Sequence, residues 1–178
     1  MVQTPAGRAG AGHHPNSRIG SAMSKGKKVF IYFIGLIVLL QLVPYGWEHS
    51  NPPVLREPQW DSPETQNLAR QACFDCHSNE TIWPWYSYVA PVSWLVRHDV
   101  EEGRSELNFS EWGSGRDGEE GDEMSREIRK GKMPLRPYVL LHPEADLSPS
   151  DKEALMKGLT ATARNSQSAP EHREGEAD

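Results

Sequence analysis

Cys73-Phe74-Asp75-Cys76-His77 constrains this chain more than any other stretch. These are the only two cysteines among 178 residues, so they act as a pair or not at all. Two are too few for a disulfide-stapled scaffold or a four-thiolate zinc site. Cys-x-x-Cys-His is the attachment motif of a c-type haem. The spacing has a physical reason: two thiols on adjacent edges of one helical turn reach the two vinyl groups of a porphyrin, and the next side chain points its imidazole at the iron. Covalent attachment also keeps the cofactor on a small domain that cannot wrap it completely. A redox dithiol is the first alternative, but it belongs at a helix start beside a βαβ pattern, and here a helix is expected before the pair. Zinc is the second, and it would need a fourth ligand and usually another paired motif.

The formal net charge of −6 is unevenly spread. Arg8, Arg18, Lys25, Lys27 and Lys28 precede residue 29 with no acid among them, so the remainder is more acidic than the whole. An acidic body argues against a nucleic-acid binder. From Val29 to Trp47 the chain is uncharged and almost continuously apolar, close to the roughly 20 residues that span a bilayer as a helix. A run without a polar face does not suit a surface helix. The expectation is one N-terminal transmembrane helix over 29–47, retained because no small-x-small pattern follows it, with Tyr45 and Trp47 at the interface. Basic residues before the run, and none until Arg56 after it, predict a cytoplasmic tail over 1–28. They put the rest on the outer, periplasmic side of the cytoplasmic membrane. Residues 1–22 are rich in Gly, Ala, Pro and Arg, without periodicity, and read as a disordered tail, with Met23 as an alternative start.

Asn51-Pro52-Pro53 suggests an extended linker over 48–59, since proline biases its predecessor away from helix. A folded domain over 60–164 and a polar, disordered tail over 165–178 follow. Four helices are expected from their end signals. Ser62-Pro63-Glu64 caps one that leads to Cys73. Pro91 opens a second, with Val92, Leu95, Val96 and Val100 on one face, stopping at Gly103. A third runs from about Asp122 to Lys130, with Gly131 as its stop. Ser148-Pro149-Ser150-Asp151 starts the fourth. No alternating strand pattern appears, so the fold class is all-α with long loops. The acidic, glycine-rich stretch 113–121 reads as a solvated loop.

His77 is the proximal iron ligand by the motif. Candidates for the opposite face are Met124, Met133, Met156, His98 and His142. Met133 follows a helix end and precedes Pro134, on a stiffened loop free to fold over a porphyrin, where a thioether disfavours the ferric state. His98, one turn from Trp94, is the alternative. Trp83, Trp85, Tyr86 and Trp94 offer apolar walls, and Arg97 and Arg104 are candidates to pair with haem propionates.

Read in order, Cys73-Phe74-Asp75-Cys76-His77-Ser78-Asn79-Glu80-Thr81, Trp83-Pro84-Trp85-Tyr86-Ser87, Ala90-Pro91-Val92-Ser93-Trp94, Glu102-Gly103-Arg104, Leu107-Asn108-Phe109-Ser110-Glu111-Trp112 and Met133-Pro134-Leu135 resemble the bacterial haem-binding domain family. The resemblance covers about residues 50–160. It implies a short, exported or membrane-anchored, cytochrome-c-like protein with one covalent haem c on Cys73, Cys76 and His77 and Met133 as sixth ligand, and it keeps His98 in play. The expected activity is single-electron transfer rather than enzymatic turnover, between redox proteins whose basic patches meet the acidic surface. The alternatives are a haem enzyme or small-ligand sensor with an open coordination site, and a structural factor of a respiratory complex.

Overall fold

Ser62 starts the first helix of the body as its sequence asks. Its side chain accepts the Thr65 backbone N–H at 3.2 Å, with Pro63 at the first helical position. In the computed structural model, which describes residues 23–168, the elements are α1 (Lys25–Leu40), α2 (Pro63–Ala72), α3 (Phe74–His77), α4 (Val92–Glu106), α5 (Gly121–Arg129), α6 (Arg136–Leu141) and α7 (Pro149–Ser168). Among the described residues there is no strand, only an isolated bridge between Arg56 and Glu111. The fold is all-α.

The chain divides into two compact units, one up to Leu36 and one from Ile37 onward. In the first, α1 begins among the lysines and leaves Val29, Phe30, Tyr32 and Phe33 exposed. The expected transmembrane helix over 29–47 is not formed as such. Helix α1 holds 16 residues and stops at Leu40, a rise of about 24 Å against a hydrocarbon core of roughly 30 Å. Among the described residues no helix is long and apolar enough to cross a membrane. The apolar run continues beyond Leu40, but Pro44 cannot extend a helix.

In the second unit, α7 packs along α5 and α2, and the short α3 sits against α2 and α4. Ala69, Phe74, Phe109, Trp112, Leu155 and Leu159 form the centre of the core. Phe109 stacks on Phe74 at 5.4 Å and on Trp112 at 6.0 Å between centroids. This aromatic pile puts the motif's own Phe74 in the core and so orients the cysteines around it.

Residues 48–59 are not a loose linker. Leu55 and Arg56 donate backbone N–H groups to Ser110 O, Trp112 donates to Arg56 O, and Asn79 donates its side-chain amide to Pro53 O. The strap begins earlier still. The Gln41 side chain donates to Ala90 O at 2.9 Å and accepts the Ala90 N–H at 3.0 Å. Tyr45 donates to Glu101, and Gly46 lies so close to α4 that a Cβ there would meet Ser93 O at 2.8 Å. Sequence periodicity cannot see such pinning, because the strap has no regular structure.

Further differences lie along the rest of the chain. Gly103 does not end α4, which runs on to Glu106; the glycine serves close packing, described below. The glycine-rich stretch 113–121 is largely exposed, as expected of a solvated loop, but it is internally bonded: Glu119 accepts from Gly113 and Ser114, and Arg116 pairs with Glu111 at 2.7 Å. Helix α6 was not expected, since six residues among Pro134, Pro137 and Pro143 carry no helical period. Helix α7 continues past residue 164, and the remaining tail, 169–178, lies outside the described residues, as do 1–22.

Candidate functional site

Cys73 closes α2 and opens α3, so the motif occupies a single helical turn. Its carbonyl accepts the N–H groups of Cys76 at 3.2 Å and His77 at 2.9 Å. Cys73, Cys76 and His77 all line one cavity of about 540 Å³, within the range of roughly 300–1,000 Å³ typical of cofactor pockets. The face of α4 expected to be apolar, Val92, Leu95, Val96 and Val100, forms one wall, and Met133 and Leu135 another.

Burial pushes both thiols up to about 12, with each other's charge adding for Cys73 and the carboxylates of Asp99 and Asp75 adding for Cys76. They are therefore neutral thiols at physiological pH. That is the opposite of the depressed value that activates a redox dithiol, and thiolates are what zinc requires. Among the described residues no group of three or more His, Cys, Asp or Glu side chains is arranged to hold a metal ion on its own.

His77 is held by its back nitrogen. Nδ1 lies 2.9 Å from Gly103 O and 3.1 Å from Leu107 O, both pure acceptors, so Nδ1 carries the proton. Nε2 is then the lone-pair nitrogen and has no protein partner. Burial lowers the imidazole below its ordinary value and keeps it neutral, the form that ligates a metal. Gly103 makes this possible. A Cβ there would stand 2.5 Å from Cys76 O, so only glycine lets α4 approach the motif turn closely enough for its carbonyl to receive the imidazole.

A buried polar network fastens the turn from the other side. Asn79 donates its backbone N–H to Ser110 Oγ at 2.9 Å, and Asn108 donates to Asn79 Oδ1 at 2.9 Å. Thr81 Oγ1 donates to Asp75 O at 2.7 Å. Asn79, Asn108 and Ser110 are essentially inaccessible, so each must be satisfied internally, and each is. The unusual density of Ser, Asn and Thr directly after the motif was the signal for this network.

Of the other expected site residues, Tyr86 and Met133 line the cavity. Trp83, Trp85, Trp94, Arg97, Arg104 and His98 do not. Trp85 is 79% exposed, and the indole N–H groups of Trp83 and Trp94 are buried without partners. Arg97 pairs with Glu101 and donates to Glu48 O; Arg104 donates to Ser78 O, Thr81 and Asn51. Both arginines brace backbone and strap, which leaves Lys132 as the cationic side chain on the cavity wall. His98 is exposed and does not itself line the cavity; its Nε2 lies 3.3 Å from Glu102, which does. Sequence reasoning missed Tyr138, whose hydroxyl donates to Asp75 Oδ2 at 2.8 Å, and gave little weight to His142, which also lines the cavity.

A sequence profile of the haem-binding domain family matches residues 35–161. The chain belongs to that family. No curated protein and no solved structure matches it. The match extends well upstream of the motif, so this haem-binding domain includes the strap from Gln41 to Arg56 as well as the helical body. The site fits the cofactor: two neutral thiols and a neutral imidazole with a free Nε2 converge on a largely apolar cavity of about 540 Å³.

Proposed function

We propose that this haem-binding domain is a mono-haem c-type cytochrome that passes single electrons between larger redox proteins. Cys73 and Cys76 would hold the haem through thioether bonds, and His77 Nε2 and Met133 would ligate its iron. Bound haem supplies one-electron chemistry; everything else is the work of the chain. The observation that carries the reading is His77, whose Nδ1 is tied to two backbone carbonyls while Nε2 stays free on the same cavity as both thiols. Such a tie fixes the tautomer and the ring plane before any metal arrives. The Met133 thioether favours the reduced iron, and the apolar wall of α4 keeps water away.

The apolar run over 29–47 supports attachment to the cytoplasmic membrane with the domain on its outer side, despite the brevity of α1. Asp99, Glu102 and Glu106 on the cavity wall support docking to a partner with a basic patch.

The test is one set of spectra on protein matured with the cytochrome c machinery active. Haem should survive denaturation, and Cys73→Ala with Cys76→Ala should abolish that. The oxidised wild type should show a methionine-to-iron charge-transfer band that Met133→Ala lacks. A high-spin spectrum with rapid carbon monoxide binding would instead favour an enzyme or sensor. Release of the protein from membranes by carbonate would remove the anchor.

A further inference from the structure

The cavity is closed by two segments from different parts of the chain. One is the single turn Trp85–Tyr88, which contributes Tyr86; the other is α6, which contributes Pro137, Tyr138 and Leu141 and is followed by His142. Helix α6 has no buried residue, and Leu140 and Leu141 are 82% and 59% exposed. Tyr138 and Val139 pack on the core from partly buried positions. Two side-chain hydrogen bonds add to that hold and tie the helix across the cavity. Tyr138 donates to Asp75, and the Tyr86 hydroxyl lies 2.7 Å from His142 Nε2.

The direction of the second bond follows from the far side of the ring. His142 Nδ1 lies 3.0 Å from Glu144 Oε1, a carboxylate held below its ordinary value by its own backbone N–H and by His142. An ionised carboxylate only accepts, so Nδ1 carries the proton, and in the neutral ring Nε2 accepts from Tyr86. Tyr138 stacks on the imidazole at 4.2 Å and 12°, fixing its plane. Both ring nitrogens are thus engaged, and the ring is oriented as an acceptor for Tyr86.

We infer that Tyr86 and His142 form a latch across the cavity mouth, with His142 a positioning residue. The latch holds α6, and the Met133 loop just ahead of it, against the bound haem, and so decides whether Met133 or an outside small molecule takes the sixth position. This rests on the reading of Met133 given above, and two independent readouts keep the proposals apart. In the haem-loaded full chain, Tyr86→Phe and His142→Ala should speed amide hydrogen exchange across 137–142. They should also weaken the methionine charge-transfer band and raise the carbon monoxide association rate at least tenfold. His142→Gln, which keeps an acceptor for the tyrosine, should restore most of both. Unchanged exchange over 137–142 in Tyr86→Phe overturns the latch, and so does faster exchange with unchanged carbon monoxide entry. If the wild type itself lacks the methionine band, the Met133 reading fails, and exchange over 137–142 alone then decides the latch. Tyr86→Phe removes a single oxygen atom, so it carries the test even if His142→Ala does not load haem.

Discussion

At the scale of single residues, the motif behaves as its spacing implies, but what makes it work is supplied from elsewhere in the chain. Gly103 is the sharpest case. Replacing a helical glycine by alanine ordinarily gains about 1 kcal/mol, yet here the new methyl would press on the Cys76 carbonyl, and overpacking costs roughly 1–3 kcal/mol. The clash is with backbone, which cannot step aside, so Gly103→Ala should be destabilised by about 1 kcal/mol net in denaturant unfolding. A more stable variant would refute the close approach. Glu111 gives a pH dependence. Hydrogen bonds from Asn79 and from Arg116 hold its carboxyl below the ordinary value, so its stabilising contribution is present at neutral pH and fades as acid protonates the folded state. The stability gap between wild type and Glu111→Gln should therefore shrink on acidification, and a gap that widens would reverse the assignment. Cys73, Cys76, His77 and Met133 were legible because their chemistry is written in identity and spacing. Arg97, Arg104 and His98 are engaged by Glu101, by Ser78 O and by Glu102 rather than lining the cavity, a placement sequence does not give because it shows the charge of a side chain but not the direction in which its helix presents it.

At the scale of elements, boundaries governed by local signals were readable. Ser62 and Ser148 cap α2 and α7, and Gly131, at φ 67°, follows the end of α5. Elements set by distant contacts were not. Helix α6 and the strap over 41–56 exist through hydrogen bonds to residues tens of positions away, which no window of neighbouring residues contains. The strap makes its own prediction. Gln41→Ala removes the acceptor of the Ala90 N–H, and the net worth of such a bond, about 1 kcal/mol, corresponds to an exchange rate at Ala90 about fivefold faster. Ala90 exchange at the wild-type rate would mean that the strap is held by something other than this pair.

At the scale of the whole molecule, the distribution of charge bears on the proposed exchange with redox partners. The cavity wall carries Asp99, Glu102 and Glu106 on α4 in a chain that is acidic overall. Attraction to a basic partner is screened beyond about 10 Å at 0.1 M salt. Stopped-flow reduction by a cationic redox protein should therefore slow as ionic strength rises, and Glu102→Lys with Glu106→Lys should slow it further at low salt. A rate indifferent to salt would exclude electrostatic docking at this face. The strap bears on partner choice in another way. A carrier on a slack leash can shuttle, swinging between a donor and an acceptor that stand apart. With Gln41 clasped to Ala90 and Gly46 wedged beside Ser93, this chain has no slack from residue 41 onward, so on the proposed reading as an electron carrier a donor and an acceptor would each have to travel to it and take turns at the same opening.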